Sequence, residues 1–507
     1  MSPPPMPVDT SLLPALRADL LAKPRQLFIG GEFVSAVSGE TFEVTDPATG
    51  AVIGHAASAD AADIDLAVKA ASRCFESGKW SNMAPAQRAR IMLRLADLIE
   101  ANASRIALTE TLDNGMPLMM AFFGGGMGAA EALRYFAGWC TKLNGETFTP
   151  SNPGEWHAYT VREPVGVVGA IVPWNFPFVM AVAKLGASLA AGCTVVLKPA
   201  EQTPLSAVIL AELVAEAGFP EGTINICTGF GKTAGAALVA HPLVDKISFT
   251  GSTVTGKSIV HACADSLKRV TLELGGKSPV IIFADADLAK AIPGAAMGIF
   301  GNAGQVCAAG SRLFVHESVR DEVLEGISNM ARGLVVGNGM DPRTQMGPLV
   351  SDVQFARVTG YLESALAEGA QVLVGGGKLD VEGGEGGNFL APTVLTETRA
   401  GMKAVEEEIF GPVLCTMTFG DDDLEAVAAA ANDTQYGLSS AIWTNNMSNG
   451  LKLAKRLKAG MVRINGGMGG PDPAMPLGGF KQSGWGRENG RQGVEAFTEI
   501  KSVTINL

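Results

Sequence analysis

Cys307 stands in a segment whose composition favours reaction at its sulfur. Residues 304–311 (GQVCAAGS) are small and follow a helix predicted to extend to Asn302. Small neighbours leave a thiol accessible, and an accessible thiol becomes a nucleophile when it ionises. Because a single cysteine is more often a small buried hydrophobe, a catalytic assignment needs support from other motifs.

The other cysteines and the histidines indicate neither disulfides nor a metal site. The seven cysteines are an odd number without a Cys-x-x-Cys pair, and the five histidines are scattered. Disulfide frameworks and structural zinc sites have regular ligand spacings that are missing here. We therefore expect free thiols and no metal.

A glycine-rich turn could approach a dinucleotide. Residues 228–235 (TGFGKTAG) follow a predicted strand and contain Gly229-x-Gly231-x-x-x-Gly235. Such glycines let backbone amides reach a pyrophosphate, although an ordinary tight turn has the same composition. A P-loop would need glycine where Ile226 stands, so the sequence argues against an ATPase.

Two further loops have the same character. Residues 249–256 (FTGSTVTG) place hydroxyls and amides at a predicted helix N-terminus, where they could hold an anion or merely cap the helix. Residues 198–204 (KPAEQTP) end an apolar strand, with Thr203 as predicted N-cap and Pro204 at the first helical position. Lys198 and Glu201 stand where ribose hydroxyls would lie. Three such loops after successive strands favour a dinucleotide site.

Alternating β-rich and helical runs predict an α/β fold with doubly wound parallel sheets. Parallel strands need crossover connections, and ligands bind at the carboxyl ends of such strands. The predicted strands form two series, at 165–172, 194–198, 223–227 and 246–249, then at 279–283, 313–315, 391–395 and 413–419.

Smaller features complete the prediction. A hairpin is expected at 27–34 with its turn at Gly30 and Gly31, and amphipathic helices at 61–71 and 84–106. Residues 1–26 are interpreted as an arm, and the glycine-rich residues 375–387 as a flexible surface loop.

Composition bounds the class of protein. A chain of 507 residues that is 47% hydrophobic and 18% charged can bury a large core and predicts two or three domains. A net charge of −12 argues against a nucleic-acid partner, since phosphate binding needs clustered Lys and Arg. No apolar run is long enough to span a membrane, and the first residues do not resemble a signal peptide, so we expect a cytoplasmic protein without a membrane partner.

The blocks around Cys307 resemble the signature motifs of the aldehyde dehydrogenase superfamily. They occur in the family's order, and the resemblance extends over roughly residues 27 to 507. The matching blocks are residues 173–177 (PWNFP), 249–252 (FTGS), 272–278 (LELGGKS), 304–307 (GQVC), 408–412 (EIFGP), 476–481 (PLGGFK) and 484–488 (GWGRE).

The resemblance implies a division of labour. Cys307 would attack an aldehyde carbon, and Asn175 with the Cys307 backbone N–H would hold the oxyanion. Glu273 would activate the water that hydrolyses the thioester, with Lys184 and Glu488 supporting proton transfer. A scaffold salt bridge between Lys184 and Glu488 is the alternative.

The resemblance also implies NAD as the cofactor. Lys198 and Glu201 would contact the adenosine ribose, Ser252 the pyrophosphate, and Glu408 the nicotinamide ribose beside Phe410. Because a carboxylate repels a 2′-phosphate, Glu201 makes NADP the less favoured coenzyme, although Lys198 would tolerate either. Further predicted cofactor residues are Trp174, Gly231, Gly235, Phe249 and Leu274.

Departures from the family pattern predict a wide substrate tunnel. Ala183, Leu477 and the glycine-rich residues 122–128 (FFGGGMG) stand where many relatives have larger side chains. We expect a bulky apolar or aromatic aldehyde of the phenylacetaldehyde type, with a simple helix break at the glycines as the alternative. The predicted tunnel residues are Phe176, Met180, Ala183, Gly124, Gly128, Phe300, Val306 and Leu477.

The resemblance implies three structural parts and a homo-oligomer. Residues 1–145 and 165–275 would bind the dinucleotide, residues 276–478 would form the catalytic domain, and residues 146–164 with 479–507 would mediate assembly into a dimer or tetramer. Two rival enzymes are a coenzyme A-acylating semialdehyde dehydrogenase, which Glu273 disfavours, and a thiol hydrolase, which would need a histidine near Cys307. A catalytically silent binding or structural relative is the non-enzyme alternative.

Overall fold

The computed structural model describes residues 7–420, 423–467 and 472–507. The strands are β1 Leu27–Ile29, β2 Glu32–Val34, β3 Thr41–Thr45, β4 Val52–Ala57, β5 Thr147–Phe148, β6 Trp156–Pro164, β7 Val167–Ile171, β8 Thr194–Lys198, β9 Ile224–Ile226, β10 Lys246–Thr250, β11 Arg269–Glu273, β12 Pro279–Ile282, β13 Arg312–His316, β14 Gln371–Val374, β15 Thr393–Thr396, β16 Val413–Phe419, β17 Ser439–Trp443, β18 Met461–Ile464, β19 Gly484–Trp485 and β20 Thr498–Asn506.

The α-helices are α1 Leu13–Ala22, α2 Ala61–Glu76, α3 Pro85–Ala101, α4 Ala103–Asn114, α5 Leu118–Met120, α6 Gly128–Ala137, α7 Pro177–Ala191, α8 Leu205–Ala217, α9 Ala236–Ala240, α10 Thr253–Ala264, α11 Leu288–Phe300, α12 Arg320–Gly333, α13 Asp352–Ala367, α14 Lys403–Glu406, α15 Leu424–Asn432, α16 Met447–Arg456 and α17 Gly490–Glu495. Wide π-helical turns cover Ala121–Met127 and Gly231–Gly235, and 3-10 turns cover Thr10–Leu12, Gly301–Gly304, Glu317–Val319 and Lys481–Ser483.

Two large sheets carry the fold, as predicted. The first has the order β19-β11-β10-β7-β8-β9-β1-β2, and its five central strands are parallel. The second has the order β14-β15-β16-β13-β12-β17-β18, with only β14 antiparallel. The prediction of doubly wound α/β architecture is therefore confirmed.

Helices cover both faces of each sheet. In β8, Val195 and Leu197 belong to one hydrophobic cluster, while Val196, between them, belongs to another. Alternate residues of a strand point to opposite faces, so each face has its own core. In β12, likewise, Val280 and its neighbour Ile281 belong to different hydrophobic clusters on opposite faces of the second sheet. Strands buried on both faces are mostly apolar, which explains why the sequence signal for them is strong.

Several local predictions need correction. The expected helix at 84–106 is two helices, because the Asn102 backbone leaves the helical region between α3 and α4. The expected N-terminal arm contains α1, whose Leu16 and Leu20 are buried, while residues 1–6 lie outside the described part. Helix α8 begins at Leu205, and its first amide donates to Asp113 rather than to Thr203.

The glycine-rich residues 122–128 do not break their helix. The chain runs from α5 through the π-helical turn directly into α6. The alternative of a helix break is therefore wrong, and the helix is locally widened instead. Such turns are rare, and they occur frequently at functional sites.

The predicted assembly segment is divided in the structure. Strands β5, β6 and β20 form a separate three-stranded sheet, with β20 paired to β6 along its whole length. Strand β19, from the same predicted segment, instead pairs with β11 at the edge of the first sheet. Among the described residues, no helix is both long and apolar enough to cross a membrane.

Candidate active site

Cys307 is half-buried, whereas the other six cysteines are buried. It follows a turn in which Asn302, Ala303 and Gly304 all have positive φ, at 49°, 52° and 70°. A side chain on Gly304 would overlap the Gly411 carbonyl oxygen, and one on Gly276 would overlap the carbonyl oxygen of Cys307. These two glycines let three separate segments meet at the thiol.

Asn175 is tied to the segment that carries Cys307. Its side-chain Nδ2 donates to the Gln305 carbonyl at 2.8 Å, and its own carbonyl accepts from Asn302 Nδ2 at 3.0 Å. A side-chain amide has two hydrogens, so one anchors Asn175 and the other can serve an oxyanion.

Helix α4 supports this loop through three residues that the sequence analysis missed. Asn114 Nδ2 donates to the Trp174 carbonyl at 2.6 Å, and Glu110 Oε1 accepts from the Phe178 amide at 2.9 Å. Asp113 Oδ2 accepts from the Leu205 amide at 3.0 Å. The two carboxyls satisfy amides at the starts of α7 and α8, which need acceptors. Polar residues in a helix that is buried along almost its whole length were the available signal.

Glu273 ends β11 and is 4% exposed. Both carboxyl oxygens are buried and lack a hydrogen-bond partner within residues 7–420, 423–467 and 472–507. Burial raises the pKa of Glu273 well above its usual range, the Glu488 carboxylate adds to this rise, and Lys184 opposes it. A carboxylate with a raised pKa is a stronger base near neutral pH.

The predicted pair Lys184 and Glu488 is brought together beside Ser248. Lys184 Nζ, which is buried, donates to Glu488 Oε1 and also to Ser248 Oγ at 3.0 Å. Ser248 Oγ donates to the same Glu488 oxygen at 3.1 Å. Ser248 was missed by the sequence analysis, although a serine inside a fully buried strand was a usable signal.

Strand β19 delivers Glu488 to this position. A side chain on Gly484, whose φ is +120°, would overlap the Leu272 carbonyl, so glycine allows the strand to pair with β11. The Leu274 amide donates to the Ser483 carbonyl at 2.9 Å, and Leu477 and Glu488 exchange two backbone hydrogen bonds. The closing sequence block thus belongs to the same site as Glu273.

The three predicted dinucleotide loops lie at the carboxyl ends of β8, β9 and β10. Lys198 is buried and its Nζ contacts Glu201 Oε2 at 3.0 Å, while burial lowers the pKa of Lys198. Gly231 faces open space, and Gly235 lies beside the Lys198 side chain. Ser252 caps α10 by accepting from the Thr255 amide, with its side chain at an exposed helix N-terminus.

Glu408 and Phe410 lie between α14 and β16, next to the second sheet. Glu408 Oε1 accepts from the Gly276 amide at 2.9 Å, and burial raises the pKa of Glu408 to about 7. The ring of Phe410, whose φ is 62°, meets the ring of Trp174 edge-on with centroids 5.2 Å apart. Glu408 thus contacts the segment after Glu273, and Phe410 contacts the residue before Asn175.

Two of the predicted cofactor residues lie in the core. Phe249 and Leu274 are each 5% exposed and belong to the cluster on one face of the first sheet. A side chain on Gly256 would come within 2.6 Å of Leu274, so this glycine allows α10 to pack against it.

The predicted tunnel residues are not equivalent. Phe176, Met180, Ala183, Val306 and Leu477 are partly exposed, while Phe300 is completely buried in the core of the second sheet. Gly124 is exposed with open space at the position of an added Cβ, whereas Gly128 is hemmed in by the Phe123 carbonyl. Phe300 has no free surface, so we leave it out of the tunnel.

The thiol of Cys307 is held in its neutral form. Burial raises its pKa to about 12, and the nearby Glu408 and Glu273 carboxylates add to the rise. Attack on a carbonyl therefore requires a base that removes the proton. Among the described residues, no group of three or more His, Cys, Asp or Glu side chains could hold a metal ion.

Comparisons with known proteins point to one family. Residues 33–503 match the model of the Aldehyde dehydrogenase family. The chain is 45% identical over 500 residues to a phenylacetaldehyde dehydrogenase of Pseudomonas fluorescens, with 98% of each chain covered. It is also 45% identical over 486 residues to the human mitochondrial aldehyde dehydrogenase, covering 95% of this chain and 92% of that one. The NAD⁺ complex of an aldehyde dehydrogenase from Bacillus cereus superimposes with a TM-score of 0.93 at 49% identity, covering 96% of this chain and 98% of that chain.

Proposed function

Since the chain belongs to the aldehyde dehydrogenase family, we propose that it oxidises an aldehyde to a carboxylic acid through a thioester on Cys307. The observation that carries the proposal is the meeting at Cys307 of the Asn175 loop and of Gly276, which lies three residues after Glu273. A nucleophile, an oxyanion donor and a base are the parts that acyl transfer from an aldehyde requires.

The first half of the reaction forms the thioester. The Cys307 sulfur bonds to the aldehyde carbon as its proton passes to solvent water, so that Glu273 stays ionised for the second half. The carbonyl electron pair moves to oxygen, where Asn175 Nδ2 and the Cys307 backbone N–H donate to the oxyanion. Removing one such donor typically costs about 10²- to 10³-fold in rate. NAD, when bound, supplies the acceptor for the hydride that then leaves the former aldehyde carbon.

The second half releases the acid. A water oxygen bonds to the thioester carbon while its proton passes to Glu273. The carbon–sulfur bond breaks, and Cys307 leaves as a thiolate that takes up a proton from solvent to restore the thiol. Glu273 must then lose the proton, and the nearby Lys184 and Glu488 are the groups we assign to accept and pass it on. General-base assistance of this kind is typically worth about 10²- to 10⁴-fold.

The residues of the three βα loops fit a dinucleotide. Open space at Gly231 leaves the backbone accessible to a pyrophosphate, and Ser252 lies at an exposed helix N-terminus that favours an anion. The Bacillus cereus relative binds NAD⁺. Glu201 favours NAD over NADP because its carboxylate accepts from a ribose hydroxyl and repels a 2′-phosphate.

For the substrate we propose a bulky apolar or aromatic aldehyde. Two relatives of equal identity carry different names, so identity does not choose the substrate. The proposal rests on the small side chain of Ala183 and on the open space at Gly124. A catalytic efficiency for acetaldehyde equal to or above that for phenylacetaldehyde would contradict it.

We also propose a homodimer or homotetramer that assembles through the three-stranded sheet. Its outer strand β20 exposes Ile500 at 60% and Ile505 at 42%, and an exposed strand edge can pair with another chain. A monomer in analytical ultracentrifugation at micromolar concentration would contradict this proposal.

The function is tested by rapid mixing with NAD⁺ and phenylacetaldehyde while NADH is recorded. We expect Cys307→Ser to form no NADH while retaining NAD⁺ affinity, and Glu273→Gln to release a burst of NADH followed by slow turnover. Cys74→Ser is the matched control, because Cys74 is buried and bonded to Thr223. No NADH with a broad aldehyde panel would instead indicate a silent relative, and turnover that depends on coenzyme A would indicate the acylating enzyme.

A further inference from the structure

Ser248 occupies a central position in the buried polar cluster behind Glu273. It lies in β10, whose five residues are all buried, and it has no exposed surface. The register pairs Ser248 with Thr271 and Thr250 with Glu273. Alternate residues of a strand share a face, so Ser248 lies on the same face of the sheet as Glu273. It is two residues before Thr250, the β10 residue paired with Glu273.

The hydroxyl of Ser248 bonds to both members of the ion pair. It accepts from Lys184 Nζ at 3.0 Å and donates to Glu488 Oε1 at 3.1 Å. Lys184 reaches the cluster from α7 and Glu488 follows β19, so the two charges come from distant parts of the chain. A hydroxyl can donate and accept at once, which an alanine cannot replace.

Within residues 7–420, 423–467 and 472–507, no other hydroxyl bonds to both Lys184 and Glu488. Lys246, two residues before Ser248, donates to Thr271 Oγ1 at 2.7 Å. The charged groups that face the cluster are Lys184 from α7, Lys246 from β10, Glu273 from β11, and Arg487 and Glu488 after β19, with Arg269 and the Cys193 thiol beside Lys246 and the Cys307 thiol beside Glu273.

We propose that Ser248 is a positioning residue that holds Lys184 and Glu488 in the arrangement through which Glu273 loses its proton after each hydrolysis. This inference rests on the proposed function, because it concerns the step that regenerates the base. Ser248 itself touches neither the thiol nor the thioester.

Loss of the hydroxyl affects Lys184 more than Glu488, because the Lys184 side chain is 1% exposed, whereas that of Glu488 is 16% exposed and can bond to water instead. Lys184 would keep one acceptor instead of two, so its positive charge would be held less firmly near Glu273. Lys184 lowers the pKa of Glu273 while Glu488 raises it, so weakening the ammonium raises the pKa of Glu273 further. The acidic limb of the turnover profile, which reports when Glu273 is ionised, then moves to higher pH.

The test compares the NADH burst and the steady-state rate of the full-length enzyme between pH 5.5 and 9.5. For Ser248→Ala we expect a burst amplitude within twofold of wild type, a steady-state rate at pH 7 lowered about 3- to 10-fold, and an acidic limb raised by about one pH unit. Ser248→Thr keeps the hydroxyl and should restore the wild-type profile.

Ser206→Ala is the matched control, because Ser206 has no exposed surface and its hydroxyl lacks a partner within the described part of the chain. A Ser248→Ala profile that coincides with wild type, or a Ser248→Thr enzyme as impaired as Ser248→Ala, overturns the positioning role. If Ser248→Ala does not fold, Ser248→Cys preserves the volume and gives the same readout.

The Glu273→Gln variant distinguishes failure of the positioning role of Ser248 from failure of the proposed function. If it shows a burst with slow turnover while Ser248→Ala behaves as wild type, only the positioning role fails. If Glu273→Gln turns over like wild type, the proposed function fails, and the role of Ser248 fails with it.

Discussion

Two glycine-rich segments border the candidate site, and their glycines serve different ends. In the turn before Cys307, Gly304 has a φ of 70° and abuts the Gly411 carbonyl, so no side chain fits there. In the π-helical turn Ala121–Met127, the backbone φ of Gly124 is not positive, and there is open space where a side chain could stand. Packing and backbone conformation require glycine at position 304. At position 124 the structure has room for a larger side chain.

The three glycines of the π-helical turn also differ from one another. A Cβ on Gly125 would overlap Glu110 Oε2, and one on Gly126 would lie 2.8 Å from the Ala103 Cβ. These two glycines let the widened turn pack on α4, which holds the Asn175 loop. Of the three consecutive glycines, only Gly124 remains an argument for a wider tunnel.

The largest effect is expected for Gly304→Ala. A left-handed conformation costs a residue with a Cβ about 1–2 kcal/mol, and forced overlap in a packed region typically costs about 1–3 kcal/mol. We expect about 3 kcal/mol lower free energy of unfolding in urea, with at least about 100-fold lower activity, because small displacements of reacting groups are costly. Gly301→Ala is the control, since Gly301 is in the same turn with a φ of −54° and open space. Equal losses in both variants would contradict the packing argument.

The second effect concerns Glu110, which is 1% exposed and whose pKa burial raises to about 8. Below pH 4.5 the folded and unfolded chains both hold this proton. Above it the unfolded chain releases the proton while the folded one keeps it, so wild-type stability falls as the pH rises from about 4.5 to about 8.

Glu110→Gln removes this titration while keeping an oxygen for the Phe178 amide. We expect its stability relative to wild type to increase by about 3 kcal/mol between pH 5.5 and pH 8.5, since each pKa unit corresponds to about 1.4 kcal/mol. Urea unfolding at both pH values measures the difference. A difference that does not change with pH would show that Glu110 is ionised in the folded enzyme.

Much of the architecture was predictable because parallel strands buried on both faces leave a strong apolar signal. The strand series and the hairpin at Gly30 were found in this way. The bonds of Glu110, Asp113 and Asn114 were not predictable, because each reaches an amide or carbonyl far along the chain. Local sequence contains no information about such partners.

The candidate site likewise contains residues that the sequence predicted and residues that it did not. The motifs around Cys307, Asn175 and Glu273 were predicted as parts of one site, and the structure brings the first two together through Gln305. Ser248 was missed because its importance depends on two side chains that come from α7 and from the segment after β19. Phe300 was predicted to line the tunnel, but at the end of α11 it is buried in the core of the second sheet.

A smaller effect is expected for Gly125→Ala. The added methyl must displace the Glu110 carboxyl, which is held by the Phe178 amide, so we expect a loss of about 1–2 kcal/mol. In a double-mutant cycle with Glu110→Ala, the double mutant should lose about 1 kcal/mol less stability than the sum of the two single losses, because the clash disappears with the carboxyl. Gly124→Ala is the control in the adjacent position. Strict additivity would mean that Gly125 and Glu110 do not constrain each other.

The smallest effect on stability is expected for substitution of Gly124. This substitution also tests most directly whether Gly124 differs in role from Gly304. Because glycine inside a helix is about 1 kcal/mol less favourable than alanine, Gly124→Ala should leave stability unchanged or raise it slightly. Gly124→Leu should lower the catalytic efficiency for phenylacetaldehyde about 10-fold and that for acetaldehyde less than twofold, since a pocket discriminates by the volume it leaves. Gly360→Leu is the matched control, because Gly360 is likewise an exposed helical glycine with open space, in α13. If Gly124→Leu affects both aldehydes equally, Gly124 does not border the tunnel.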